Sequence, residues 1–132
     1  MRKHIFILAV ILLVAVISFV GLSNGKPKTI KAEGILSVND IQADPFAYKG
    51  NITVTGVVAK VLKQDQKLFA IVDTSEAKTC KSTGCARFYL PVRYEGAMPR
   101  EWDEVNITGG IVKERGPVFQ AIKVEVLKHL TF

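Results

Sequence analysis

Residues 51–63 read NITVTGVVAKVLK, and residues 104–114 read EVNITGGIVKE. Both stretches are rich in Val, Ile and Thr, which are enriched in β-strands, and both carry glycine inside the run. A long strand interrupted by glycine is one that bends sharply or forms a bulge. Because a sheet that closes on itself needs such bends, the two stretches predict strands of a small β-barrel.

The rest of the domain supplies one short helix and three more strands. Ser37 followed three residues later by Asp40 has the pattern of a capping box, which predicts a two-turn helix that ends before Pro45. Residues 74–85 are polar and are predicted to form a long loop. A two-sheet sandwich usually has about seven strands, so five strands favour the barrel. The three further strands are expected at residues 67–73, 86–93 and 118–127.

The order of these segments resembles the OB-fold, a five-stranded Greek-key barrel. The resemblance rests on SVNDI and PFAYKGNITVTGVV, followed by LFAIVD, FYLPV and VNITGGIV. Within that fold, the chain is similar to small exported OB-fold proteins that are tethered by an N-terminal anchor. The resemblance implies an all-β domain over residues 35–128 with a short N-terminal helix, followed by a tail at residues 129–132.

The first 22 residues have the pattern of an export or membrane segment. Arg2 and Lys3 precede an uncharged run at residues 5–22, in which 16 of 18 positions are hydrophobic. That length lies between the apolar core of a cleaved signal peptide and the roughly 20 residues of a membrane-spanning helix. We expect residues 1–22 to form a signal anchor or a cleaved signal peptide, with residues 23–34 as a linker. The domain is then expected on the exported side of a membrane, which residues 5–22 contact.

The two cysteines, Cys80 and Cys85, lie five residues apart in the predicted loop. Gly84 between them permits a tight turn, and an exported domain favours oxidised cysteines, so a structural disulfide is expected. Two alternatives stay open. Neighbouring basic residues favour thiolate, which would suit a redox-active pair, although the CxxC spacing of thiol oxidoreductases is absent. Two chains together would also supply the four ligands of a zinc site.

A candidate binding surface follows from the resemblance. OB-folds commonly bind ligands on their second and third strands and the adjoining loops. Alternation along these strands, with Leu68 and Leu90 inward, turns two aromatic rings and three cations outward. Rings flanked by cations are the arrangement on which such folds stack their ligands. The alternative is that the rings pack on their neighbours and the cations are solvated. The predicted ligand-binding residues are Lys67, Phe69, Arg87, Tyr89 and Arg93.

No part of the domain has the pattern of a catalytic or cofactor site. It has one histidine, His129, and neither a Gly-x-Ser-x-Gly motif nor a glycine-rich phosphate loop. The haem chaperone of cytochrome c maturation, an anchored and exported OB-fold family, binds haem through a C-terminal His-x-x-x-Tyr. This chain instead ends His129-Leu-Thr-Phe132. We therefore expect no catalytic residue, no cofactor and no resident metal.

Three functions are compatible with these patterns. The first is a non-catalytic binding or accessory module, tethered outside the cytoplasm, whose partner is a protein, a peptide or a glycan. The second is an accessory role in cofactor, metal or thiol handling that uses Cys80 and Cys85. The third, nucleic-acid binding, requires a cytoplasmic domain. It is disfavoured because residues 32–132 hold 13 Lys and Arg against 12 Asp and Glu, so the basic excess lies in the N-terminal segment.

Overall fold

The computed structural model describes residues 34–132. The expectations for residues 1–33, a signal anchor or signal peptide and most of the linker, lie outside the described residues. Within residues 34–132, no helix combines the length and the apolar character needed to cross a membrane. The elements of this part of the chain are β1 (Ile35–Ser37), α1 (Val38–Ala43), β2 (Ile52–Val61), β3 (Leu68–Val72), α2 (Thr74–Cys80), a 3₁₀ turn (Thr83–Cys85), β4 (Leu90–Arg93), β5 (Asp103–Lys113) and β6 (Pro117–His129).

Strands β2 to β6 form a closed barrel. Their order around the barrel is β2-β3-β4-β6-β5, and β5 pairs back onto β2. These pairings are antiparallel, except that β4 and β6 run parallel over a short contact. That order is the Greek-key order of the OB-fold, so the predicted all-β, five-stranded barrel is confirmed. Strand β1 was not predicted, because three residues carry too little alternation to be recognised; it pairs in parallel with β2.

Two glycines allow strands to approach more closely than any side chain permits. A Cβ atom on Gly56 would lie 2.8 Å from the carbonyl oxygen of Val72, and one on Gly109 would lie 2.0 Å from that of Gln120. The register between β5 and β6 shifts next to Gly109, as the sequence predicted for a bulge. In β2 the register shift lies between Val58 and Lys60 and not at Gly56. Gly56 instead allows β2 to pack closely against Val72 in β3.

Helix α1 closes one end of the barrel. The Ser37 hydroxyl accepts from the Asp40 amide at 3.1 Å, and the Asp40 carboxylate accepts from the Ser37 amide at 2.8 Å, so the predicted capping box is confirmed. Both apolar side chains of the helix, Val38 and Ile41, are fully buried. They join a core whose other fully buried members are Val54, Val58, Phe69, Ile71, Leu90, Val92, Val105, Ile107 and Phe119.

The segment at residues 74–85, predicted as a loop, instead contains α2 and the 3₁₀ turn. Asp73 caps α2, since its carboxylate accepts from the Ser75 amide at 2.9 Å. The helix buries only Ala77, which packs with Val57 and Val72 in a second, smaller core. One buried alanine leaves no apolar periodicity in the sequence, and for this reason the pattern gave no sign of a helix.

Residues 129–132, predicted to form a tail, contact the barrel, and the first of them is the last residue of β6. Strand β6 runs to His129, whose Nδ1 donates to the Asp103 carboxylate at 2.8 Å. The Leu130 amide donates to the carbonyl oxygen of Trp102 at 2.9 Å. The Phe132 ring meets the Trp102 ring edge-on, with 5.4 Å between centroids. Trp102, which takes part in the last two of these contacts, has a φ of 72°, in the left-handed region.

Two buried carboxylates carry pKa values below the ordinary range. Burial raises the pKa of Asp73, but hydrogen bonds from Ser75 and Asn39 outweigh it and the net shift is downward. Burial likewise raises the pKa of Asp103, but the Arg100 amide and His129 outweigh it, so that pKa is lowered as well. Both carboxylates therefore favour the folded state when they are ionised.

We expect the domain to lose stability as pH falls below 3.8, the ordinary value for aspartate. A lowered folded-state pKa stabilises the fold fully above the unfolded-state pKa, and the stabilisation is lost as pH falls through the folded-state pKa. The measurement is the urea unfolding free energy between pH 7 and pH 2. Asp103→Asn should lower the unfolding free energy by about 1–3 kcal/mol at pH 7, because charge-assisted hydrogen bonds are weakened. The unfolding free energy of this variant should then fall less steeply toward acid pH. If the unfolding free energies of the variant and of the original protein fell equally steeply with pH, Asp103 would not be a source of the acid sensitivity.

Candidate ligand-binding groove

A groove of about 600 Å³ opens on the surface of the barrel beside β4. One wall comes from β3, from β4 and from the two residues that precede β4. The other comes from the turn between β5 and β6 and from the first residues of β6. The β3–β4 wall consists of Leu68, Phe88, Tyr89, Pro91 and Arg93, and the turn wall consists of Glu114, Arg115, Gly116, Pro117 and Val118.

The pairing of β3 with β4 determines which side chains reach this groove. In an antiparallel pair, residues that are directly opposite each other lie on the same face of the sheet. Leu68 is opposite Arg93, and Ala70 is opposite Pro91, so these four lie on the outer face. Phe69 is opposite Val92 on the inner face, where both side chains are fully buried.

The prediction that Phe69 faces outward as a ligand-binding residue is therefore wrong. Residues 68–72 read LFAIV, which is apolar at every position, so alternation alone does not show which set lies inside. The inner positions hold Phe69 and Ile71, which together are larger than the outward-facing pair of Leu68 and Ala70. Filling the barrel at interior packing density explains this choice. On the third strand the prediction had the correct face, since Leu90 and Val92 are buried.

The three predicted cations do not form a free positive surface. Each contacts a carboxylate: Lys67 meets Glu95, Arg93 meets Glu114 at 2.6 Å, and Arg87 meets Glu76 at 2.7 Å. The Arg87 amide also donates to Glu76 at 3.1 Å, and its side-chain and amide hydrogen bonds lower the pKa of that carboxyl. These pairs leave little net positive charge where the sequence had placed a cationic surface.

Tyr89 is the exposed aromatic ring of the groove, and its position is tied to the cysteine loop. The ring is 43% exposed, and its hydroxyl donates to the carbonyl oxygen of Thr83 at 2.7 Å. Thr83 lies between Cys80 and Cys85, which form a disulfide with 6.3 Å between Cα atoms. The predicted disulfide is confirmed. It closes a short ring of residues whose backbone holds the tip of Tyr89 against the barrel.

The groove contains two of the five predicted ligand-binding residues, Tyr89 and Arg93. Lys67 and Arg87 do not line it, and Phe69 lies beneath the surface. The turn wall, at residues 114–118, was not among the predicted ligand-binding residues. Its place in an OB-fold could have identified it, because the loop between the fourth and fifth strands adjoins the usual ligand face.

The chemistry of the groove is apolar, with charge at one end. Five of its ten residues are Leu68, Phe88, Pro91, Pro117 and Val118, which offer only hydrocarbon surface. At the turn, the ion pair between Arg93 and Glu114 is followed by Arg115, which forms no ion pair with any residue in 34–132. Across the described part of the chain, no three His, Cys, Asp or Glu side chains group as metal ligands do.

Comparison with known proteins identifies the fold and not a family. No family model and no curated protein matches the chain. Among solved structures, the chain is similar to the hypothetical protein YgiW from E. coli, at a TM-score of 0.50 and 12% identity. The match covers 74% of this chain and 94% of that one. At this level of identity the likeness concerns the fold alone, and it agrees with the strand order described above: this chain folds as an OB-like barrel.

Proposed function

We propose that this barrel is a non-catalytic binding module that takes up an extended peptide segment in the groove. The segment carries apolar side chains and a carboxylate. The observation that carries this proposal is the apolar lining with Arg115 at one end, a cation that forms no ion pair within residues 34–132. Concave apolar surfaces with a few convergent polar groups are the usual form of ligand sites. An N-terminal signal segment that places the module outside the cytoplasm is part of the same proposal.

The lining favours a peptide over the other partners that the sequence left open. A nucleic acid would need several free cations along its phosphates, whereas Lys67, Arg87 and Arg93 are each paired with a carboxylate. A glycan would need polar side chains around the stacking ring, but five of the nine other groove residues have hydrocarbon side chains. Aromatic-lined apolar grooves are a common binding site for extended peptide segments.

Capture of displayed peptides tests this function. The full-length protein in mild detergent is screened against a random peptide library, and the affinities of the recovered peptides are measured for variants. Tyr89→Ala should weaken binding at least tenfold, since a central aromatic contact contributes more than about 1.4 kcal/mol. Arg115→Glu should weaken the binding of peptides with a carboxylate and spare those without one.

Two controls make the result specific to the groove. Tyr89→Phe keeps the ring and removes its hydrogen bond to Thr83, so it should bind more tightly than Tyr89→Ala. Lys49→Ala changes an exposed residue outside the groove and should bind as the original protein does. Peptides that bind Tyr89→Ala and Arg115→Glu with unchanged affinity would overturn the proposed function.

A further inference from the structure

Strand β6 extends well beyond the strand that covers one of its edges. Strand β5 pairs with β6 from Pro117 to His129, but β4 meets the other edge of β6 only at Phe119 and Gln120. From Ala121 onward, that second edge has no strand partner among residues 34–132. An uncovered edge presents a row of backbone N–H and C=O groups on which a further strand is able to pair.

The side chains along this free edge are apolar enough to be covered. Ile122 is 64% exposed, Val126 is 50% exposed and Leu127 is 48% exposed. The register against β5 shifts at both ends of the stretch, which leaves Lys123–Val126 as regular strand between two bulges. Within it, Lys123 and Glu125 lie on the same side of the strand, and their side chains are 3.2 Å apart.

We propose that this edge of β6 pairs with the same edge of a second copy of the chain. The two strands run antiparallel about a two-fold axis at Val124. In that register Val124 lies opposite Val124 of the second copy, and Ile122 lies opposite Val126. Lys123 lies opposite Glu125, and the symmetry repeats this contact. Apolar residues therefore meet apolar residues, and each charge meets its opposite.

The charges exclude the neighbouring registers. Moving the axis by one residue places Lys123 opposite Lys123, or Glu125 opposite Glu125, and like charges directly opposite each other are destabilising. An axis that lies between Val124 and a neighbouring residue places the apolar Val124 opposite Lys123 or Glu125. The self-complementary order of Lys123, Val124 and Glu125 thus fits a second copy in one register. This charge complementarity is the reason to choose a second copy over an unrelated strand.

Charge reversal tests the pairing on the full-length protein in mild detergent. Sedimentation over a range of concentrations gives the dimer dissociation constant. Lys123→Glu and Glu125→Lys should each raise it about tenfold, because each replaces two attractive contacts across the axis with two repulsive ones. The double variant exchanges the charges within each copy and restores their complementarity, so its dissociation constant should return to within about threefold of the original.

A cysteine at the axis provides a second measurement. Val124→Cys should form an interchain disulfide on mild oxidation, because the same residue of both copies meets there, while Cys80 and Cys85 are already paired with each other. Glu101→Cys, at an exposed position away from β6, is the matched control and should cross-link far more slowly. A protein that stays monomeric at every concentration overturns the proposal. A dimer that is indifferent to both single reversals also overturns it. The peptide-binding variants lie on another surface, so the two proposals fail separately.

Discussion

Replacing Phe69 by alanine is expected to lower the free energy of unfolding by about 3–5 kcal/mol. Its ring is fully buried in the centre of the barrel among side chains that include Ile71 and Val92. Truncation removes the burial of the ring and leaves a cavity that a closed sheet is poorly able to collapse. Because small domains are stable by only about 5–15 kcal/mol, this loss is a large share of the total.

Urea unfolding monitored by the fluorescence of the single tryptophan, Trp102, measures this loss. The control is Leu68→Ala, the adjacent position on the outer face of β3, where the side chain is only half-buried and the cost should be much smaller. The comparison distinguishes the observed orientation of β3, with Phe69 inside the barrel, from the predicted one, with Leu68 inside. A larger loss of unfolding free energy for Leu68→Ala than for Phe69→Ala would mean that Leu68 lies on the inner face of β3, as the sequence analysis predicted.

Gly109→Ala should be similarly severe, with a loss of about 3 kcal/mol or more. The added Cβ atom would lie 2.0 Å from the carbonyl oxygen of Gln120 and 2.9 Å from the Cα atom of Ala121. Both contacts are to the backbone of the paired strand, which cannot rotate away as a side chain does. The bulge next to Gly109 and the pairing of β5 with β6 would have to open to accept the methyl group.

Gly116→Ala is the matched control, because nothing lies within 4 Å of a Cβ atom at that position. Its effect on stability should be close to neutral. Thermal unfolding and amide exchange across β5 and β6 measure both variants. A Gly109→Ala protein with the original midpoint and the original exchange protection would mean that the two strands do not approach as closely as described.

Much of the barrel could be predicted from local patterns. The long runs of Val, Ile and Thr in residues 51–63 and 104–114 identified β2 and β5, and Ser37 with Asp40 identified the start of α1. The spacing of the two cysteines, together with an expected exported location, indicated the disulfide. Each of these signals comes from a few neighbouring residues, and such signals need no knowledge of the tertiary structure.

What the sequence did not predict depends on contacts between distant residues. The inner face of β3 is decided by how the barrel fills, because LFAIV is apolar throughout. Arg87 pairs with Glu76 in α2, and Arg93 pairs with Glu114, the first residue of the β5–β6 turn. The local sequence does not show ion pairs between residues so far apart along the chain. The groove likewise joins residues 68–93 with residues 114–118, and its outline follows only from the strand order.

The parallel contact between β4 and β6 involves only two residue pairs, which makes it the narrowest junction of the barrel. Brief local opening there should break fewer ladder hydrogen bonds than opening along any other pairing of the barrel. The groove spans the same junction, with β4 on one side and the β5–β6 turn on the other. A peptide bound in the proposed groove would contact both sides of this junction, and its binding would therefore favour the closed form of the barrel.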